Sequence, residues 1–292
     1  MSKIAVISDI HANIHALDLV LKQIEKDNVD EIFCLGDLVT KYFYPAEVVD
    51  LIKESCSVVI KGNCDELVST DERYVFAREK LGLSRIEYLQ NLPFEHNINL
   101  NSININFYHS CPNSLERIFN PLFDGNEYAS CKDRIIYDYN EMFKDEKSQV
   151  SVVGHTHQNY VAKVDNDLEL LNDKTTLSNK YRYIINVGSV GEHSHMELEN
   201  YTPITIIDPY ITYALLNIKE NTITVEIKKI PYIKTLEKIY IDMIIKQGCN
   251  RIPQSPDDTK KIQKSLKLMI KWFAINKIIW LKSIIIYQKR IK

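Results

Sequence analysis

Five short segments each end an apolar run in side chains that bind metals: Asp9-Ile10-His11, Gly36-Asp37, Gly62-Asn63-Cys64-Asp65, His109-Ser110 and Gly154-His155-Thr156-His157. Carboxylate and amide oxygens together with imidazole nitrogens suit zinc, manganese or iron, and the five segments provide donors for a two-metal site.

The apolar runs that precede them have the character of strands. Ile4 to Ile7, Glu31 to Leu35, Val58 to Ile60, Ile103 to Tyr108 and Val150 to Val153 are short and mostly rich in β-branched residues, so each segment falls where a strand stops. In open α/β sheets the loops beyond the carboxyl ends of the strands form the ligand crevice, where residues distant in sequence converge. Residues two apart in an extended backbone share a side, so Asp9 with His11, and His155 with His157, are each expected to offer two ligands to one point. Gly36, Gly62 and Gly154 immediately precede Asp37, Asn63 and His155, where a side chain would block a tight turn or a close backbone approach.

Each motif alone has a plainer reading. Asp9 could cap the helix that begins near Asn13, Gly36-Asp37 is an ordinary turn, and a lone His109 is more often structural than ligating. Gly-His-Thr-His is more specific, and all five in this order at strand ends outweigh the plain readings.

The pattern resembles that of the calcineurin-like metallophosphoesterase superfamily, whose signature runs Asp-x-His, Gly-Asp, Gly-Asn-His-Asp/Glu, His, Gly-His-x-His, and the resemblance covers roughly residues 1 to 233. It implies a four-layer αββα sandwich, two mixed β-sheets flanked by helices. It also implies that Asp9, His11, Asp37 and His157 hold one divalent ion and that Asp37, Asn63, His109 and His155 hold a second, with Asp37 bridging. Such ions, manganese, iron or zinc, activate a bridging water and clamp phosphoryl oxygens. The absence of thiolates from that ligand set argues against a structural zinc or iron-sulfur site.

One letter departs from the signature. Cys64 stands where most members have a histidine that protonates the leaving group, a role worth about 10² to 10⁴ in rate. A neutral thiol is a weaker donor with its pKa in the wrong range. A Gly-Asn-Cys-Asp variant is familiar in a branch of small bacterial phosphodiesterases of the superfamily, which this chain is similar to. The catalytic set is then Asp37, Asn63, His109, Asp65 and Cys64, with Asp65 orienting position 64 in the family and Cys64 otherwise a small apolar filler. Substrates with good leaving groups, diesters or phosphoanhydrides that include nucleotides, are expected over alkyl monoesters. A phosphomonoesterase or a Ser/Thr protein phosphatase is the alternative within the superfamily, and a non-catalytic scaffold of the same fold the alternative outside catalysis. Against a protein phosphatase, Leu38-Val39-Thr40-Lys41-Tyr42 lacks the phosphate-clamping arginine, for which Lys41 is no bidentate equivalent.

Ser8 to Asn13 and Asn186-Val187-Gly188-Ser189-Val190-Gly191 extend the resemblance, with Ser189 expected at the edge of the substrate pocket. His193 and His195 are expected as exposed loop histidines, and Asn13 as the N-cap of a helix from Ile14 to Lys26. Glu72 to Leu92 is expected as a helix broken around Gly82, and Pro112 to Tyr128 as an irregular cap whose Phe119, Phe123 and Tyr128 pack or stack on a base. Ile211 to Ile218 and Thr222 to Ile230 alternate as a hairpin expected to close the second sheet.

Length and composition, 292 residues with 45% hydrophobic content, fit one catalytic domain over residues 1–233 with an appended basic helical extension over 234–292. That extension carries 14 Lys or Arg against 4 Asp or Glu, a net of +10, which leaves −13 for residues 1–233 given −3 overall. Its final helix, from about Thr259 to Lys289, is interrupted by lysines and holds no membrane span. Docking on the acidic domain or on a second subunit, as in a homo-oligomer, is favoured over an interfacial membrane helix or a nucleic-acid contact. Asp9 sits too close to the start for a cleavable signal, and six unpaired-looking cysteines suit reduced thiols, so a cytoplasmic location is expected.

Overall fold

The computed structural model describes residues 2–100, 103–119, 139–144, 148–192, 194–199, 202–207, 210–220 and 222–232. The chain divides into two compact units, Met1–Pro231 and Tyr232–Lys292, and the description that follows concerns the first. The proposed extension, Phe123, Tyr128 and His193 lie outside the described residues.

The first half of the chain alternates strand and helix: β1 (Ser2–Ile7), α1 (Ile14–Asp27), β2 (Glu31–Cys34), α2 (Pro45–Ser55), β3 (Val58–Val59), α3 (Asn63–Thr70) and α4 (Val75–Gln90). Thereafter strands dominate: β4 (Glu95–Leu100), β5 (Ile103–Tyr108), β6 (Ser148–Val153), β7 (Asn159–Val164), β8 (Leu168–Leu170), β9 (Lys174–Leu177) and β10 (Arg182–Val187). They continue through β11 (Ser194–Glu199), β12 (Thr202–Ile207), β13 (Tyr210–Lys219) and β14 (Thr222–Pro231). One mixed sheet has the order β3-β2-β1-β13-β14-β9, the other β4-β5-β6-β10-β7-β8, and β11 with β12 forms a separate ribbon.

The two six-stranded sheets pack face to face. Ile4, Val6 and Phe33 of the first share one buried apolar cluster with Ile105, Phe107, Val150, Val152 and Ile185 of the second. Burying these branched and aromatic side chains, at about 25 cal/mol per Å² of apolar surface, is the main force that holds the layers together. Helix α1 turns Ala16, Leu17, Val20 and Ile24 inward at helical spacing, and Asn13 caps it by accepting the Ala16 amide at 3.2 Å. Helix α4 breaks at Gly82, whose φ of 67° no helix interior accommodates.

The hairpin β13–β14 belongs to the first sheet, not the second: β13 lies antiparallel to β1, pairing Val6 with Ala214 and Ile4 with Leu216. Its run Ile211 to Leu216 is buried throughout, as a strand covered on both faces must be. His195 falls on strand β11, so the loop expected there is a ribbon. Helices α2 and α3 and strands β4 and β7 to β9 complete the layers. Among the described residues no helix is long and apolar enough to cross a membrane.

Candidate metal centre

Strands β1, β2 and β3 run parallel and adjacent, as do β5 and β6 in the facing sheet, so their carboxyl ends point the same way within each sheet. The loops that leave these ends carry the predicted residues and are tied together by backbone hydrogen bonds. The Asp9 amide donates to Gly36 O at 3.0 Å, the His11 amide to Asp37 O at 2.8 Å, and the Gly154 amide to His109 O at 2.9 Å.

The side chains meet where those loops meet. Nε2 of His11 lies 3.1 Å from Nε2 of His157, 3.7 Å from Asp37 Oδ2 and 3.9 Å from Asp9 Oδ1. His157 Nε2 is 3.4 Å from the same Asp9 oxygen. On the other side of Asp37, Oδ1 lies 3.5 Å from His109 Nε2, which in turn lies 2.9 Å from Asn63 Oδ1. The two oxygens of Asp37 therefore face different imidazoles. The His155 ring packs edge-on against His109 at 5.1 Å between centroids, with its Nε2 3.3 Å from the Glu116 carbonyl. All seven expected ligands converge in this region, and Asp9, His11, Asp37 and His109 are at most 2% exposed.

The donor set fits cations. His109 Nδ1 lies 2.8 Å from the Leu35 carbonyl, to which it donates. In the neutral ring Nε2 is then a lone pair that faces two oxygen acceptors, an arrangement that a shared proton or cation resolves. Asp9 Oδ1 is buried without a hydrogen bond between two imidazole nitrogens. A buried carboxylate oxygen in that condition costs several kcal/mol unless a positive charge offsets it. Three donor groups overlap here: Asp9 with His11 and His157, Asp9 with Asp37 and His109, and His11 with Asp37 and Cys64.

Electrostatics sharpen the picture. Burial pushes the His11 pKa well below its ordinary value and that of His155 down to about 3, which keeps both rings neutral with lone pairs available. Burial also pushes Asp37 up, while for Asp9 the histidines around it outweigh burial and hold its carboxyl below the usual range. For His109 the charges of Asp37 and Asp9 outweigh burial and raise it. The Cys64 thiol is pushed well up by burial and by the Asp37 charge.

The backbone at the site is not the extended chain expected of alternating ligands. Asp9, His11, His155 and His157 have φ of 56°, 50°, 66° and 62°, in the left-handed region. The paired ligands converge through left-handed turns, because the loop must reverse at once where the strand ends. Ala12, Asp37, Thr40 and Lys41 share this conformation, so eight of the eleven non-glycine residues with positive φ, among those described, lie in these loops. Gly36 and Gly62 face one another: a Cβ on Gly36 would lie 2.3 Å from Gly62 N, and one on Gly62 2.2 Å from Asp37 N.

Asp65 is placed as a brace. Its carboxylate accepts the amides of Asp37, Leu38 and Gly62 at 2.8, 2.9 and 2.9 Å. Ser189, expected at the pocket edge, is 3% exposed and turns its hydroxyl to the Asp9 carbonyl at 3.0 Å. Phe119 packs among Tyr108, Met142, Phe143 and Tyr160, the packing alternative for this aromatic. Sequence reasoning missed Asn186, whose Nδ2 donates to Gly154 O at 2.9 Å and Thr156 Oγ1 at 2.8 Å and so holds the turn between His155 and His157. Its signal is the run Asn186 to Gly191, which extends the family resemblance and in which Ser189, not Asn186, is the residue expected at the pocket edge.

Comparison with known proteins agrees with this geometry. The family model described as calcineurin-like phosphoesterase superfamily domain matches residues 2–208. The chain is 30% identical over 202 residues to the uncharacterized protein MJ0912 of Methanocaldococcus jannaschii, covering 65% of this chain and 77% of that one. Its fold is similar to a metallophosphoesterase from Sphaerobacter thermophilus, with TM-score 0.57, 23% identity and coverage of 82% and 93% of the two chains. It is similar also to the hypothetical protein PH1004 of Pyrococcus horikoshii OT3, with TM-score 0.60, 19% identity and coverage of 91% and 98%.

Proposed function

Because the chain belongs to the calcineurin-like phosphoesterase superfamily, we propose that it hydrolyses phosphodiester or phosphoanhydride bonds with two divalent ions, nucleotides being among its substrates. The observation that carries this reading is the placement of Asp37, whose two oxygens face His11 on one side and His109 on the other at 3.7 and 3.5 Å. A carboxylate in that position can bridge. Asp9, His11 and His157 would complete one ion's surroundings, and Asn63, His109 and His155 the other's. Ions so held supply an activated water and neutralise charge on the phosphoryl oxygens.

The chain's own residues do the rest. His109 is oriented by the Leu35 carbonyl, Asp37 by the Asp65 brace, and the His155 turn by Asn186. At position 64 the described side chain is a thiol rather than an imidazole, so no ring there protonates a departing oxygen. Leaving groups that depart without a proton, aryl or nucleotide phosphates, follow from that. The described cysteines Cys34, Cys56, Cys64 and Cys111 carry free thiols, which supports a cytoplasmic setting.

The test is metal-stripped protein reconstituted with manganese, iron or zinc and assayed on an aryl phosphodiester, an aryl phosphomonoester and diadenosine tetraphosphate. Turnover of the diester or the anhydride above the monoester supports the reading. Two bound ions without turnover of any substrate would replace it with a scaffold.

A further inference from the structure

The side chain that departs from the family signature lies inside the donor cluster. Donor atoms of Cys64, His11 and Asp37 fall within 4.8 Å of one another. Sulfur and nitrogen bound to one zinc-like ion, at about 2.3 and 2.0 Å from it, stand roughly 3.5 Å apart. Loading would draw these side chains together over the remaining gap.

Two further contacts fix this residue in place. Its amide donates to Asp37 Oδ1 at 2.7 Å, which ties the Cys64 backbone to the carboxylate expected to bridge. The Asn63 side-chain amide points at Cys64 Sγ at 3.8 Å, with sulfur as the acceptor. An N–H aimed at sulfur is the kind of surrounding contact that supports a ligating thiolate.

We propose that Cys64 is a metal ligand, joining His11 and Asp37 on one divalent ion as a thiolate whose proton leaves to solvent on loading. This rests on the reading of the cluster as a metal centre. The sulfur adds a soft donor to an otherwise hard set, which shifts selectivity toward zinc and cobalt and away from manganese. It also explains chemistry without a general acid: a ligating sulfur has no proton to give.

The experiment uses the full chain, stripped of metal and titrated with cobalt(II). Wild type and Cys111→Ser should develop a sulfur-to-cobalt charge-transfer band in the near ultraviolet in proportion to bound cobalt. Cys64→Ser should bind cobalt without that band, and its zinc affinity should fall by about 10- to 100-fold, a loss typical of disturbed ligand surroundings. Cobalt bound by wild type without the band, or a band that survives in Cys64→Ser, overturns the thiolate while leaving the metal centre. No cobalt bound by wild type overturns both. Should Cys64→Ser fail to fold by circular dichroism, alkylation of wild type decides the matter by peptide mass. Metal should slow modification of Cys64 by about tenfold or more, with Cys56, at the end of α2, unaffected. Equal rates with and without metal overturn the proposal.

Discussion

The Asp65 carboxylate accepts the backbone amide of Asp37 at 2.8 Å, and this contact welds the loop after β2 to the first turn of α3. The amides of Leu38 and Gly62 reach the same carboxylate. The residue expected to bridge two ions is therefore aimed by a neighbour that touches neither ion in the proposed ligand set.

Removing that brace strands three amide donors next to a buried site. An unsatisfied buried donor costs about 1–3 kcal/mol, so Asp65→Ala should lose roughly 3 kcal/mol or more of stability. The urea midpoint measures it, and an unchanged midpoint would mean that the three amides find other partners.

Asp37→Asn keeps the shape and discards the charge between His11 and His109. Metal content by emission spectroscopy should fall, and turnover of an aryl phosphodiester should drop by about 10³-fold or more, the several kcal/mol expected of a lost ligand to catalytic ions. Full metal content with full activity would show that Asp37 does not bridge.

Cys64→His restores an imidazole at the leaving-group position. The ratio of aryl monoester to diester turnover should rise by about 10². An unchanged ratio would separate this position from proton transfer.

Gly62→Ala places a methyl group 2.2 Å from both the amide and Oδ1 of Asp37, inside any real contact distance. Overpacking of this kind costs about 1–3 kcal/mol, and here the displaced atom is a ligand. Metal affinity should fall along with stability, and a variant that melts lower yet binds metal normally would refute the coupling.

His96 on β4 packs edge-on against Phe33, with centroids 5.3 Å apart, and burial holds its pKa below the ordinary value while the Glu31 charge opposes. The unfolded chain takes up the proton near pH 6.5, before the folded one does. The folded state's advantage is thus full above about 6.5 and declines as pH falls toward the lower folded value. His96→Gln should flatten that decline in urea midpoints relative to wild type, and identical slopes would remove His96 from the balance.

The strand ends were legible because β-branched runs such as Val150 to Val153 terminate abruptly next to ligating residues. The ligand groupings could be matched to a signature, and the helix after Asn13 announced itself by cap and periodicity. The left-handed turns at Asp9 and His155 could not be read, since conformation there is imposed by contacts from other loops. The role of Asn186 and the inward turn of Ser189 were hidden for the same reason: both act through carbonyls of residues far away in sequence. The alternation over Ile211 to Ile230 predicts a hairpin but not the sheet it joins, because alternation specifies a strand's faces and not its neighbour.

Asp9, His11, Asp37 and Asn63 follow strands of one sheet, and His109, His155 and His157 follow strands of the other. Neither sheet alone holds the whole centre, so an ion bound there would act as a rivet through the sandwich. Such a rivet cannot guide the early stages of folding, because its two halves meet only after contacts of long sequence separation have formed. It would be set last and, once set, would oppose any sliding of one layer over the other.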